Sequence, residues 1–299
     1  MKSAKNAAKN KEKKNEKLTK EHIEKFKSYL ENEEKARATV ERYIRDISHF
    51  SDWFEEEAER ASRTVTKGDV LNYKAFLLEK YAPSSTNSFL SSLNSFFDYA
   101  EWYELKVKTV KIQRQIFAPK ERELTKREYE KLLTAAAECG NRRLFLLLQT
   151  ICSTGIRVSE LKFITTDAVR CGRAEINNKG KLRFAFLPRE LCEMLAEYCE
   201  ERGIRRGSVF VSKSGAQLDR SNIWSDMKRL CRRAGVSERK AFPHNLRHLF
   251  ARTYYTAEKD IVRLADLLGH SSVNTTRIYT MESADSCRKQ LQKLGLLLK

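Results

Sequence analysis

From Leu18 to about Tyr103 apolar residues return every three or four positions, the spacing of one face of an α-helix. Val40, Tyr43, Ile44, Ile47, Phe50 and Phe54 make one such stripe. Thr66 stands before a predicted helix that holds Val70 and Tyr73. Pro83-Ser84-Ser85 opens another, with Phe89, Leu93, Phe96 and Phe97 on one side. Proline suits that first turn because its missing N–H would have had no helical partner there. These stripes predict a bundle of four or five helices. Residues Leu105 to Glu123 lack periodicity, are basic and carry Pro119, which reads as an interdomain linker. A new helix is predicted from Thr125, where Thr125 and Glu128 have the spacing of a capping box. Leu144 to Ile151 is almost unbroken apolar, too long and leucine-rich for a strand, and is predicted to be a buried helix.

The period then changes from about 3.6 to two. Leu182, Phe184 and Phe186 alternate with Arg183, Ala185 and Leu187, and Asn177-Asn178-Lys179-Gly180 supplies turn chemistry ahead of them. This predicts a hairpin within Ala174 to Leu187, ended by Pro188, with helix resuming through Tyr198. Val209 to Val211 is expected to form a short strand joining the sheet. Asp219 or Ser221 caps a basic helix through Arg233, and Gly235 ends it. The expected fold class is mainly α with a small antiparallel sheet (α+β). The expected divisions are a basic disordered tail at 1–17, a helical domain at 18–104, a linker at 105–123, a second domain at 124–284 and an apolar tail at 285–299.

Charge narrows the class of partner. The chain has 58 Lys+Arg against 40 Asp+Glu, a net +18, and its first twenty residues hold eight lysines and two glutamates. An excess of that size favours a polyanion. Seven cysteines, with no C-x-x-C pair, argue against a disulfide framework or a zinc knuckle and for reduced thiols in a cytoplasmic protein. The basic N-terminus has no apolar stretch of the signal-peptide kind, and no run approaches a membrane span.

The candidate chemistry lies in Arg157 (in TGIRVSEL), His244 and Arg247 (in FPHNLRH), and His270 and Tyr279 (in LADLLGHSSVNTTRIYT). Attack of a tyrosine on a phosphodiester gathers charge on two non-bridging oxygens, which guanidinium groups neutralise with donors fixed in a plane. The tyrosine must lose a proton as it attacks, and the leaving 5′ oxygen must gain one. Cations that do this work leave no need for a metal or other cofactor. His244 and Arg247, three apart, share a helical face, whereas the adjacent His248 is expected to point elsewhere. Taken singly, each residue also fits a plainer role: Arg157 in an ion pair with Glu160, His270 as a cap or core residue, Tyr279 as core.

As a set, and in this order, STGIRVSEL, the hairpin with Lys179, FPHNLRHLFA and LADLLGHSSVNTTRIYT resemble the tyrosine recombinase (phage integrase) family over about Thr125 to Met281. The bundle from Leu18 to Tyr103 is similar, less specifically, to that family's SAM-like core-binding domain. The resemblance implies a mixed α/β catalytic domain of the DNA breaking–rejoining type. It also implies a 3′-phosphotyrosine intermediate, a Holliday junction, and a homo-tetramer on double-stranded DNA. It casts Arg157 and Arg247 as phosphate-binding arginines, His244 as proton handler, His270 as support for the scissile phosphate, Tyr279 as nucleophile and Glu160 as a brace. The hairpin lysine becomes the general acid: Lys179, which precedes Gly180 as in the family's usual pair, or Lys181, because the turn departs slightly from the common length.

DNA is then expected between the two domains, against Lys106, Lys108, Lys111 and Arg114 of the linker and Arg220, Lys228 and Arg232 of the basic helix. The resemblance implies that the apolar tail (Leu291, Leu294, Leu296, Leu297, Leu298) docks on a neighbouring protomer; packing on its own domain is the alternative. The expected function is a site-specific DNA recombinase of the integrase or excisionase type, with a mobile element as the favoured setting. A type IB topoisomerase and a non-catalytic DNA-binding protein on the same fold are the alternatives.

Overall fold

The computed structural model describes residues 18–57, 64–112, 123–178, 181–212, 214–280, 288 and 292–294. The chain divides into two compact units, residues 1–114 and 115–299. The expected disordered tail and most of the apolar tail lie outside the described residues; Leu294, which does not, is exposed.

The first unit is a bundle of α1 (Lys20–Asn32), α2 (Arg37–Glu57), α3 (Lys67–Lys80) and α4 (Pro83–Tyr99), followed by a 3₁₀ turn at Tyr103–Leu105. The expected stripes point inward: Val40, Ile47, Phe50 and Phe54 are buried with Leu93, Phe96 and Phe97. Thr66 caps α3, where its N–H donates to Asp69 Oδ2 at 2.8 Å.

Residues 105–110, placed in the linker by their lack of periodicity, pack on this bundle instead. Leu105 and Val107 are buried in its core. Asn94 brackets Val107, donating to its carbonyl at 2.8 Å and accepting from its N–H at 3.0 Å. Asn87, seven residues earlier on α4, does the same for Val110 at 2.9 and 2.7 Å. Each amide side chain stands in for a neighbouring strand, an arrangement with no hydrophobic period to betray it. Residues 113–122, with Arg114 and Pro119, lie outside the described residues.

The second unit contains α5 (Lys126–Glu138), α6 (Arg142–Thr154), a 3₁₀ helix at Val158–Phe163, α7 (Thr166–Cys171), a hairpin of β1 (Arg173–Asn178) and β2 (Lys181–Phe186), then α8 (Arg189–Glu201) and α9 (Arg220–Ala234). It continues with α10 (Pro243–Glu258), α11 (Ile261–Leu268), α12 (Val273–Thr276) and a closing 3₁₀ turn at Arg277–Tyr279. Thr125 and Glu128 form the expected capping box, and α6 is the expected buried helix. Of the two candidate caps for α9 it is Asp219 that serves, accepting from Ser221 N at 3.0 Å, and Gly235 ends the helix. The expected third strand does not join the sheet, which has two strands among the described residues. Val209 N donates to Ile164 O at 2.8 Å and Ser208 bridges Thr165, so the backbone groups that would have paired with the hairpin are used on the segment before α7.

Which face of the hairpin is buried runs against hydrophobicity. Ala174, Ile176 and Ala185 face the core together with Arg183, while Leu182 and Phe186 are 56% and 62% exposed. No helix among the described residues is long and apolar enough to cross a membrane.

Candidate active site

Arg247 anchors the site. It is the largest fully buried side chain among the described residues, only 2% exposed, although it carries a charge. Two helix ends explain that burial. An α-helix leaves its last carbonyls without intrahelical partners and carries partial negative charge there. Arg247 Nη1 donates to Gly155 O, just past α6, at 2.6 Å, and Nη2 to Leu268 O, the last residue of α11, at 2.7 Å. One guanidinium thus ties three elements together. Burial and the nearby Arg157 pull its pKa down to about 10, still charged at neutral pH.

The two helix ends turn on glycine. Gly155 lies at φ +65°, and a Cβ there would come within 2.4 Å of the Phe250 ring on α10. Gly155→Ala combines left-handed strain with that overlap. It should lower stability by about 2 kcal/mol, read as a lower urea midpoint at unchanged slope. At Gly269, φ +63°, a Cβ would meet Arg183 Cδ at 2.3 Å, so the arginine stem lies directly over this turn.

Glu160 is the second anchor, with 0% exposure. Its carboxylate accepts from the Arg157 backbone N–H at 2.8 Å, from Arg157 Nη1 at 2.8 Å and from Arg183 Nη2 at 2.5 Å. Burial by itself would raise this carboxyl, but the Arg157 N–H and the two guanidinium groups outweigh it and hold the pKa below the usual value. Glu160 therefore answers what holds Arg157 at the start of a helix, where the dipole disfavours a cation. Arg183, missed in the sequence reading as a site residue, also donates to Leu267 O at 2.9 Å and so joins β2 to the end of α11. Its signal was its parity: it shares the strand face of Ala185 and Ala174, both buried.

The histidines and the tyrosine close the set. Arg247 Nη2 lies 3.0 Å from His270 Nε2. An arginine only donates, so Nε2 accepts, Nδ1 carries the proton, and it donates to Thr276 Oγ1 at 2.9 Å. Burial, then Arg247, Arg157 and Arg183, push the His270 pKa down to about 4. His244 sits on the first turn of α10, and its pKa is lowered by burial and by Arg247 and Arg157. His248 does not point elsewhere as expected. Four residues on along one helix, it meets His244 edge to face, with the two Nε2 atoms 3.0 Å apart. Tyr279 is 4% exposed and flanked by two histidine rings, His248 edge-on at 4.8 Å and His270 near-parallel at 6.2 Å.

An open cleft of about 930 Å³ is lined by Arg157, His244 and Arg247 together with Arg220 and Trp224 of α9. The site thus gathers Arg157, Glu160, His244, Arg247, His270 and Tyr279 from four separate segments. Three arginines face one carboxylate and neutral histidines, an excess suited to an anion.

Lys179 lies outside the described residues, and of Lys181 only the backbone is described, at the start of β2 opposite Asn178. Arg220 borders the cleft, but Lys228 donates to Glu238 O and lies 5.0 Å over the Trp224 ring, and Arg232 pairs with Glu238 at 2.9 Å. In the first unit Lys106 pairs with Asp98 at 2.7 Å, while Lys108 and Lys111 are exposed.

Comparison with known proteins points to one family. Residues 122–285 match the phage integrase family and residues 23–104 the phage integrase N-terminal SAM-like domain. The chain is 30% identical to tyrosine recombinase XerA of Thermococcus kodakarensis over 294 residues, 93% of this chain and 97% of that relative. Its fold is similar to XerH site-specific recombinase bound to difH substrate in a pre-cleavage complex (TM-score 0.68, 21% identity, 89% and 82% of the two chains). It is also similar to a lambda integrase tetramer bound to a Holliday junction (TM-score 0.66, 18% identity, 87% and 76%). Matched in both units and alike to a tyrosine recombinase over nearly its whole length, the chain belongs to the phage integrase family of tyrosine recombinases, enzymes that break and rejoin DNA.

Proposed function

We propose that the protein is a site-specific recombinase of duplex DNA in which Tyr279 attacks the scissile phosphate and leaves a 3′-phosphotyrosine link. The observation that carries this reading is the convergence of Arg157, Arg247 and His244 on one cleft with Tyr279 seated against His248 and His270. Arg157 and Arg247 hold the two non-bridging oxygens, and their charge is worth more in this partly buried site than in water. The Tyr279 proton passes to His244 as the Oη–P bond forms. The P–O5′ bond breaks, and the oxygen takes a proton from the hairpin lysine, Lys179 or Lys181. His270 gives up Arg247 to the substrate and steadies the phosphate. Glu160 braces Arg157 throughout.

The phosphotyrosine conserves the energy of the broken bond, so a 5′ hydroxyl from a second duplex reverses the step without ATP. Two such exchanges make and resolve a Holliday junction on a homo-tetramer, the assembly named for the lambda integrase neighbour. Exposed Lys108 and Lys111, together with Arg220 at the cleft, supply phosphate contacts. Lys111→Ala should therefore reduce the salt dependence of DNA binding by about one unit of slope, uniformly across sequences.

The decisive experiment starts with selection of bound sites from a randomised DNA pool. A nicked suicide duplex built on the selected sequence is then incubated with wild-type protein. A detergent-resistant adduct whose peptide carries the link at Tyr279 supports the proposal; no adduct on any selected site defeats it. Paired sites then separate the recombinase from a topoisomerase: recombinant product marks the first, relaxation alone the second.

A further inference from the structure

His248 lies where a second residue is needed. His244 borders the cleft, yet its Nε2 is 3.0 Å from His248 Nε2, and the two rings meet edge to face with centroids 4.4 Å apart. The same His248 ring packs edge-on against Tyr279 at 4.8 Å. One side chain thus touches both the tyrosine and the group proposed to take its proton. Two imidazoles that share a hydrogen bond through Nε2 must divide the work, one donating and one accepting. A base that must accept a proton on its free nitrogen has its own hydrogen on the other one. With Nε2 of His244 facing His248, the free nitrogen is Nδ1.

We infer that His248 is a positioning residue for strand cleavage: it accepts the Nε2–H of His244 and leaves His244 Nδ1 to take the proton of Tyr279. This rests on the function proposed above. The logic is that of a base held in one tautomer by an orienting acceptor. As Tyr279 Oη bonds to phosphorus, its proton moves to Nδ1. The resulting imidazolium keeps its Nε2–H on His248, and the 5′ oxygen leaves with a proton from the hairpin lysine. The acceptor must stay neutral to serve. Among the described residues, the charged and titratable groups acting on His248 are His244, Arg247 and Arg252 on α10, with the Tyr279 ring of the closing turn packed against it; Arg252 is itself paired with Glu123. Burial and these neighbours hold the His248 pKa down to about 4.

Two measurements test this. Long-range proton–nitrogen NMR of histidine-labelled protein without DNA should show His244 as the Nε2–H tautomer and His248 as Nδ1–H. His270, fixed as Nδ1–H by Arg247, is the internal standard; an Nδ1–H tautomer at His244 overturns the inference. Cleavage of the suicide duplex on the wild-type-selected site is then compared for two variants with opposite losses. His248→Gln keeps an acceptor near the old Nε2 but removes the ring, and should cleave within about threefold of wild type. His248→Phe keeps the ring against Tyr279 but removes the acceptor. It should cleave at least about tenfold more slowly, with the acid limb of its pH–rate profile moved to lower pH because His244 becomes the weaker base. A slow Gln variant with an active Phe variant means packing alone, and equal rates for the two mean that the acceptor is irrelevant; either result overturns the inference. If wild type itself forms no adduct, the proposed function falls, while the tautomers remain readable.

Discussion

Tyr279→Phe should yield a folded protein that forms no covalent DNA adduct. The hydroxyl is the only atom removed. The ring keeps its contacts with His248 and His270 and its place beside Ala251, Leu264 and Leu268. Stability should therefore stay within about 1 kcal/mol of wild type, read from thermal melting. Cleavage should fall by at least about 10⁴-fold, because neither a neighbouring histidine nor water replaces an aligned oxygen nucleophile. Binding to the selected site should persist, since the arginines are untouched. An adduct that survives in Tyr279→Phe would transfer the nucleophile's role to another residue.

Glu160→Ala should be the most destabilising single change in the site, by about 3–5 kcal/mol. It removes a fully buried carboxylate that pairs two arginines, and it strands Arg183, whose side chain is 13% exposed. Removing one partner of a buried ion network is costly because the surviving charge keeps its desolvation without its attraction. Activity should fall with stability, since Arg157 loses its brace. Glu160→Gln keeps the shape and separates charge from packing. A carboxylate whose pKa is lower folded than unfolded stabilises fully above the unfolded value, about 4.3 to 4.5. That contribution disappears as pH falls through the folded value. The gap between wild type and Glu160→Gln should therefore be constant from pH 6 to 8 and close below about pH 4.5. His248 and His270, both held down to about 4, act earlier. They bind protons more readily when unfolded, so stability falls from about pH 6.5 downward in wild type and Glu160→Gln alike. A gap that widens on acidification would exclude an ionised Glu160.

Much of the fold was legible because its signals are local. The Thr125–Glu128 box, Pro83 at the start of α4, the α2 stripe and the turn glycines each act within a few residues. The signals that failed were non-local or side-chain-mediated. Residues 105–110 are held by Asn87 and Asn94, so no period marked them as part of the bundle. Val209–Val211 had strand-forming residues but found partners outside the hairpin. His248 was expected, by its adjacency to Arg247, to point away from the site, but its spacing of four from His244 was the relation that counted.

The sequence by itself determined the helices, the hairpin, the polyanion-seeking charge and the identity and order of the chemical groups, because propensity, capping and motif order are written in the chain. Only the tertiary structure decided how those groups are held. It buried Arg247 against the ends of α6 and α11, placed Glu160 between two arginines, and turned Arg183 inward while Leu182 and Phe186 faced out. It also set His248 between His244 and Tyr279. Each of these depends on elements far apart in sequence, and the physical reason is shared. A buried charge or ring nitrogen takes whatever partner folding brings within hydrogen-bonding distance, and that partner has no fixed spacing along the chain.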